Sequence, residues 1–164
     1  MTDTVQVREG ITAGDILAVR DIAGSSGFFR KDEIEVAVGL AQESLEKGGE
    51  SGYHFLFADL SGKPVGFICF GPIPCTIGSF DIYWMAVMEE IRGQGLGNKL
   101  LGEAERAVMR SGGRMIYIET SSTEKYEPTR RFYLKAGYVE EARLKDFYLE
   151  GDDKLIYSRA IPTS

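Results

Sequence analysis

Hydrophobic and polar positions in the first third of the chain follow a helical period. Residues 13–23 and 31–47 carry apolar side chains at intervals of three and four, and Gly48-Gly49 predicts the end of the second segment. A short alternating run, Val5–Glu9, precedes them and predicts a strand. The pattern therefore predicts one strand followed by two helices.

The hydrophobic period then changes to two. Residues 54–60 and 65–70 are rich in aromatic and β-branched side chains, and Ser61-Gly62-Lys63-Pro64 between them is typical of a turn. These features predict a hairpin. A loop over residues 71–78 and a further strand over residues 80–88 follow.

The second half of the chain returns to helical spacing twice. A helix that stops at Gly112-Gly113 is predicted by apolar residues at intervals of four: Leu96, Leu100, Ala104 and Val108. Residues 128–136 predict a shorter helix, with Pro128 at its start and Gly137 just past its end. Strands are predicted over residues 114–120, 138–144 and 155–160. The predicted order is β α α β β β α β α β β, a mixed α/β (α+β) fold.

Composition and charge exclude several classes of protein. The 164 residues are 43% hydrophobic and 27% charged, which is typical of a globular chain, and they predict one domain over residues 1–164. The net charge of −6 argues against a nucleic acid partner. The longest uncharged run, residues 64–80, contains three prolines and is shorter than the ~20 apolar residues of a membrane helix, so no membrane partner is expected.

Localisation and metal binding are also constrained by composition. The first nine residues mix both charges and do not resemble a signal peptide, which predicts a cytoplasmic protein. Cys69 and Cys75 are too few for a disulfide framework. With His54 as the single histidine, no metal site is expected, and a Ser-His-Asp triad is disfavoured because no Gly-x-Ser-x-Gly elbow occurs.

The strongest chemical signal is a glycine-rich turn between a predicted strand and a predicted helix. Gly93, Gly95 and Gly97 let a ligand approach the backbone, where N–H groups without helical partners point outward at the positive end of the helix dipole. Arg92 adds a planar donor suited to phosphate oxygens. Neither a Walker loop nor the G-x-G-x-x-G fingerprint is present. A pyrophosphate is the expected ligand, and a purely structural turn is the alternative.

These residues carry a family resemblance. The run Arg92-Gly93-Gln94-Gly95-Leu96-Gly97 resembles the Arg/Gln-x-x-Gly-x-Gly/Ala signature of the GNAT acetyltransferase superfamily, and the strand before it ends in Met85-Ala86-Val87. A second segment, residues 131–138, is similar to the helix and turn that follow the fifth strand in that family. The resemblance covers residues 5–160.

The resemblance implies a fold, a co-substrate and a way of binding it. The fold would be a mixed, mostly antiparallel sheet of about seven strands flanked by about four helices, and the co-substrate would be acetyl-CoA. The fourth and fifth strands would splay, so that the pantetheine arm binds the fourth strand like another strand. The residues implied in coenzyme binding are Met85, Ala86, Val87, Arg92, Gly93, Gln94, Gly95, Leu96, Gly97 and Asn98.

The resemblance also implies catalytic roles. Tyr133 matches the tyrosine that protonates the leaving thiolate, and its alternative role is packing on the sheet. Glu119 resembles a glutamate that serves some members as the base for the amine, with Asp81 and Tyr83 as competing candidates. Tyr126 stands where many members have an asparagine that contacts the coenzyme. Thr129 and Arg130 are candidates to replace that contact.

The acceptor is less defined than the coenzyme. The implied reaction is direct acetyl transfer to a primary amine of a small molecule or a peptide, and the acidic balance favours a cationic acceptor. The loop over residues 24–30 is predicted to be a mobile lip, with Phe28 and Phe29 lining the acceptor site. An inactive coenzyme-binding module and transfer of another acyl group such as succinyl are the alternatives. A homodimer is common in the family.

Overall fold

The computed structural model describes residues 4–162, which form seven strands and four α-helices in the predicted order. The strands are β1 Val5–Glu9, β2 His54–Leu60, β3 Lys63–Pro72, β4 Ser79–Val87, β5 Met115–Ser121, β6 Val139–Leu149 and β7 Asp152–Ala160. The helices are α1 Asp15–Ser25, α2 Lys31–Lys47, α3 Leu96–Arg110 and α4 Glu127–Lys135. Short 3₁₀ segments cover Gly48–Ser51, Glu89–Ile91 and Glu124–Tyr126.

The strands form one sheet in the order β1-β2-β3-β4-β5-β7-β6. β2 pairs antiparallel with β1 and β3, β7 pairs antiparallel with β5 and β6, and β4 pairs parallel with β5. The predicted mixed, mostly antiparallel sheet with four helices is therefore confirmed. Within residues 4–162, no helix combines the length and apolarity needed to cross a membrane.

The described residues divide into two compact units, and each contains parts of β4 and α3. The first comprises the residues up to Gly71 together with Tyr83–Ala107, and the second comprises Pro72–Ile82 and the residues from Val108 onward. A single domain over residues 1–164 stays a prediction. Residues 1–3 and 163–164 lie outside the described residues. Residues 1–3 begin the nine-residue segment that is predicted not to be a signal peptide.

The core of the first unit lies where α1 and α2 pack on the β2–β3 hairpin. Apolar residues that recur along each helix meet the aromatic face of the strands, where the Phe57 and Phe67 ring centroids lie 6.4 Å apart. The fully buried residues of this core include Val19, Ala23, Ala41, Phe57, Phe67 and Cys69. α2 covers residues 31–47 as predicted and ends at Gly48, whose φ of 58° takes the chain out of the helix.

The β2–β3 turn is shorter than the four residues predicted. Ser61 and Gly62 have positive φ angles of 51° and 78°, which suit a two-residue hairpin turn, and Lys63 already belongs to β3. Pro64 cannot donate a ladder hydrogen bond, and the register shifts where it faces Asp59. β3 also continues to Pro72, two residues into the predicted loop.

The second unit is built around β5 and β7. Apolar side chains of the two strands alternate toward one core, and Tyr138 packs there just after α4. Its buried residues include Ile116, Ile118, Tyr138, Leu155 and Tyr157. β6 runs to Leu149, five residues beyond its predicted end, because it continues into a tight connection with β7.

Candidate functional site

β4 changes its surroundings halfway along its length. Ser79–Ile82 pairs in parallel with residues 115–118 of β5, and the register ends there although both strands continue. Residues 85–87, predicted to bind the coenzyme, lie on the part of β4 beyond this register. The backbone there carries hydrogen-bonding groups that the β4–β5 ladder does not use, so an extended amide-containing ligand can pair with them.

The glycine turn after β4 depends on backbone conformation. Gly93 and Gly95 have φ angles of 79° and 82°, in the left-handed region that favours glycine. A Cβ atom built on either residue would meet nothing within 4 Å. Crowding by the protein therefore does not explain these glycines. They give the turn its shape and leave its outer surface open to a ligand.

α3 begins directly after this turn and presents its N-terminus. Lys99 N–H donates to the Gly95 carbonyl at 3.1 Å, so the N–H groups of residues 96–98 precede the helical ladder. Leu96 and Leu100 are 5% and 0% exposed and anchor the helix, while Gln94 and Asn98 are exposed. The turn and the helix end thus form a backbone site for an anion such as a pyrophosphate.

Arg92 makes contacts that the sequence does not predict. Its guanidinium donates a hydrogen bond to the Ser26 carbonyl and lies over the Phe28 ring, with Cζ 4.8 Å from the ring centroid. Both contacts are with the loop that joins α1 to α2. The sequence predicts instead that this side chain faces a phosphate.

The α1–α2 loop and the end of α1 pack against β4 and the segment that follows it. Phe29 lies against Trp84 with ring centroids 5.1 Å apart, and Glu89 N–H donates to Ser25 Oγ at 3.1 Å. Phe28 and Phe29, both predicted to line the acceptor site, therefore have partners within the protein. The expected mobility of this loop stays a prediction.

The second unit brings three charged side chains together. Glu119 on β5 is 49% exposed, and its Oε2 lies 2.7 Å from Lys154 Nζ on β7. The Lys154 side chain is only 14% exposed and its Nζ also lies 4.2 Å from the Phe147 ring centroid. Asp81 on β4 interacts electrostatically with both Glu119 and Lys154. We call these three residues the charged cluster.

The acidity of Asp81 is altered by its surroundings. Burial disfavours its charged form, and the negative charge of Glu119 adds to this effect, while Lys154 opposes it. Together these three effects raise the pKa of Asp81 to about 6. A carboxyl group with this pKa exchanges a proton close to neutral pH, which suits a general base.

Lys154 was not among the predicted site residues. Its position in β7 has no local motif, and it reaches Glu119 only because β5 and β7 pair antiparallel, with Glu119 opposite Ile156 and Ser121 opposite Lys154. A strand prediction that lacks the register between strands cannot identify that contact. The charged cluster therefore forms only when the strands pair in the sheet.

Tyr133 lies on α4 and is 6% exposed. Its ring packs against three aromatic rings, with centroid distances of 5.4, 5.9 and 6.4 Å to Phe132, Tyr138 and Tyr157. Burial raises the pKa of the Tyr133 hydroxyl well above its usual value. The hydroxyl is protonated at neutral pH, as in an ordinary tyrosine, and the raised pKa makes it a weaker acid than a solvated tyrosine.

Arg130 at the start of α4 has a structural partner. Its Nη1 donates to the backbone carbonyls of Ser121 and Thr123 at 2.9 and 2.7 Å. These bonds hold the connection between β5 and α4. Tyr126, which stands at the position of the family asparagine, ends the 3₁₀ segment before the helix. Lys125 Nζ lies 6.0 Å from the centroid of its ring.

The remaining candidates for nucleophilic or metal chemistry have ordinary surroundings. His54 is exposed beside Phe70, with ring centroids 5.7 Å apart. Cys69 is buried, and burial raises the pKa of its thiol, which keeps it protonated. In the part of the chain that the structure describes, no three His, Cys, Asp or Glu side chains are grouped to hold a metal ion.

Comparison with known proteins places this site in context. The family model of the acetyltransferase (GNAT) domain matches residues 51–140, which include β4, the glycine turn, α3 and α4. An N-alpha-acetyltransferase from Sulfolobus acidocaldarius is 29% identical over 114 residues, covering 63% of this chain and 67% of that protein.

Solved structures extend the similarity to almost the whole chain. A GNAT family protein from Desulfovibrio desulfuricans is 44% identical, with a TM-score of 0.95, and the match covers 97% of this chain and 100% of the other. The PaiA N-acetyltransferase of Thermoplasma acidophilum, solved in complex with coenzyme A, has a TM-score of 0.75 at 19% identity, with 96% and 99% of the two chains covered. At that identity the similarity concerns the fold.

Proposed function

This chain belongs to the GNAT acetyltransferase family and is an N-acetyltransferase, and we propose that it moves the acetyl group of acetyl-CoA directly onto a primary amine. The observation that carries the proposal is the continuity of β4 with the turn. The edge of β4 beyond Ile82 leads, through the short 3₁₀ segment Glu89–Ile91, into the open, positive-φ glycines and the N-terminus of α3. This arrangement suits a ligand with an amide-rich arm and a pyrophosphate.

The first unit would bind the coenzyme through its backbone. Residues 85–87 pair with the amides of the pantetheine arm, and the N–H groups of residues 93–98 hold the pyrophosphate. Acetyl-CoA supplies an activated thioester whose carbonyl carbon accepts the amine nitrogen. The open surface at Gly93 and Gly95 supports this fit, since no protein atom lies within 4 Å of a Cβ position there and the backbone stays accessible to a ligand.

The second unit would handle the protons. The amine must lose a proton before or as its nitrogen forms the new C–N bond, and a carboxylate of the charged cluster accepts that proton. Glu119 is the base implied by the family resemblance, but its carboxylate is already bound to Lys154. Asp81 is the competing base, and its pKa is raised to about 6.

Tyr133 would complete the reaction as the general acid. When the C–S bond breaks, its hydroxyl gives a proton to the departing sulfur. The match of Tyr133 to the tyrosine of the family motif supports this role. Because burial makes the hydroxyl a weaker acid, its proton must move as negative charge develops on the sulfur. Bulk water returns the proton after product release.

The acceptor is an amine of a small molecule or a peptide, and a cationic one is favoured. The chain carries a net charge of −6, and two of the three members of the charged cluster are carboxylates. The name of the Sulfolobus acidocaldarius relative makes a peptide N-terminus the first acceptor to test.

A thermal-shift titration with acetyl-CoA tests the coenzyme part of this proposal, with ATP and NAD as anionic controls. At a hundredfold excess over Kd, acetyl-CoA is expected to add about 2.7 kcal/mol to the free energy of unfolding, a shift of several degrees in Tm. Detection of free thiol in an amine and peptide panel then identifies the acceptor. No shift at millimolar acetyl-CoA, or equal shifts with all three ligands, would reject this co-substrate.

A further inference from the structure

Arg92 links the glycine turn to the C-terminal end of α1. Ser26 follows the last residue of α1 and is 5% exposed, so its carbonyl needs a partner within the protein. Arg92 supplies that partner and covers the adjacent Phe28 ring with the same guanidinium. A residue of the coenzyme motif thus contacts the loop on the acceptor side.

The electrostatics of α1 explain why a cation is favourable at this point. The C-terminus of a helix carries partial negative charge, and the last turn of α1 contains no basic residue. Ser26 uses its own N–H and Oγ to satisfy the Ile22 and Ala23 carbonyls. The Ser26 carbonyl is left for Arg92, which lies 66 residues later in the chain.

Two further contacts hold the loop and the end of α1. The hydrogen bond from Glu89 N–H to Ser25 Oγ joins the 3₁₀ segment before the turn to the last residue of α1. The Phe29 ring of the loop packs on Trp84 of β4. The segment from β4 to Arg92 therefore contacts the loop through Trp84 and Arg92, and Arg92 provides the charged contact.

We propose that Arg92 is a positioning residue that fixes the α1–α2 loop, residues 26–30, to the glycine turn, so that coenzyme binding at the turn stabilises the loop that receives the amine. This proposal rests on the proposed function for its coenzyme and its amine. By linkage, a coenzyme that orders the turn also favours the loop conformation attached to it, because both share the Arg92 contact. The amine then binds a loop that is already in place.

The alternative role for Arg92 is a direct contact with a phosphate of the coenzyme. A phosphate ligand and a positioning residue predict different results in binding and exchange measurements. A phosphate ligand contributes to coenzyme affinity and to its salt dependence. A positioning residue contributes to loop order and to the KM for the amine. The planar guanidinium serves the second role through one hydrogen bond and one stacking contact.

Hydrogen exchange by mass spectrometry, with and without acetyl-CoA, tests the proposal in the whole protein. Arg92→Met keeps an unbranched side chain and removes the guanidinium with its charge. Lys99→Met is the matched control, because it removes one charge from the first turn of α3, where Lys99 Nζ contacts the Val5 carbonyl instead of the loop. Phe28→Leu removes the aromatic ring beneath the guanidinium and leaves Arg92 in place.

In Arg92→Met, amides 26–30 are expected to exchange about tenfold faster than in the wild type, since a hydrogen bond and a cation–π contact are lost. Acetyl-CoA should slow exchange of this loop in the wild type and in Lys99→Met but not in Arg92→Met. The coenzyme Kd of Arg92→Met should stay within about threefold of that of Lys99→Met, as expected for loss of a screened charge. Phe28→Leu should give an intermediate exchange rate.

Two outcomes would overturn the proposal. One is unchanged exchange of residues 26–30 in Arg92→Met, and the other is a much weaker, less salt-dependent coenzyme affinity in that variant than in Lys99→Met. Failure of the proposed function is recognised separately, because a wild-type protein that binds no acetyl-CoA would still show whether Arg92→Met loosens the loop. With an acceptor in hand, Arg92→Met should raise its KM more than it lowers kcat, and Arg92→Lys should recover part of the loss.

Discussion

The two compact units differ in what their candidate sites are made of. In the first unit, the glycine turn and the N-terminus of α3 offer backbone N–H groups. Gly93 and Gly95 have no side chains that would cover this backbone. In the second unit, the charged cluster and Tyr133 offer side chains; burial raises the pKa of both Asp81 and Tyr133, and the charge of Glu119 adds to the effect on Asp81.

This difference separates binding from proton transfer. A backbone site has no pKa in the neutral range and holds an anion at any physiological pH. A side-chain site depends on burial and on charges brought from other strands, so one substitution at a neighbour changes it. Changes to the backbone site of the first unit should therefore alter coenzyme affinity, and changes to the charged cluster or Tyr133 in the second unit should alter turnover and its pH dependence.

The largest expected effect is on turnover. Tyr133→Phe removes the proposed proton donor and keeps the ring among its aromatic neighbours. We expect kcat to fall by about a hundredfold or more, with the coenzyme Kd nearly unchanged. Steady-state kinetics and calorimetry measure the two quantities. Equal losses of affinity and rate would assign Tyr133 a packing role.

A substitution in the turn should give the opposite result. Gly95→Val forces a β-branched residue into a φ of 82°, and its side chain enters the open space of the turn. We expect the coenzyme Kd to rise by about ten- to a hundredfold, measured by calorimetry. Gly39→Ala, at an open helical position in α2, is the control that should keep full affinity. An unchanged Kd in Gly95→Val would contradict the backbone site.

The charged cluster can be tested by opposite shifts of one pH–rate profile. If Asp81 is the base, Glu119→Gln removes a charge that raises its pKa, and Lys154→Met removes one that lowers it. The ascending limb of kcat/KM should move to lower pH in the first variant and to higher pH in the second, each by about half a pH unit. The acceptor amine should have a pKa well above this range. Loss of the limb in Glu119→Gln would identify Glu119 as the base instead.

The smallest expected effect is on stability. The pKa of Asp81 is about 6 in the folded protein and near 3.8 in the unfolded chain, so folding takes up a proton between these values. Its contribution to the free energy of unfolding therefore rises as pH falls from 7 toward 4. Asp81→Asn should stabilise the protein by about 1 kcal/mol more at pH 7 than near pH 4, measured by urea unfolding. The same stabilisation at both pH values would contradict a raised pKa.

The sequence by itself determined the element order and the glycine turn. Helical and strand periods, turn residues and positive-φ glycines are properties of a few neighbouring residues, so they can be read without knowing what lies across the fold. For the same reason α2 begins and ends where predicted, and the motif Arg92–Gly97 was located correctly at the start of α3. The roles of the coenzyme residues, Glu119 and Tyr133 stay predictions.

The tertiary structure decided the partners of the long side chains. Arg92 reaches Ser26, and Lys154 reaches Glu119, only because the fold brings together segments that are distant along the chain. The acidity of Asp81 has the same origin, since burial and two charges from other strands act on one carboxyl group. A local pattern places a side chain on a strand or a turn, but its electrostatic environment depends on register and burial, which arise when the whole chain is packed.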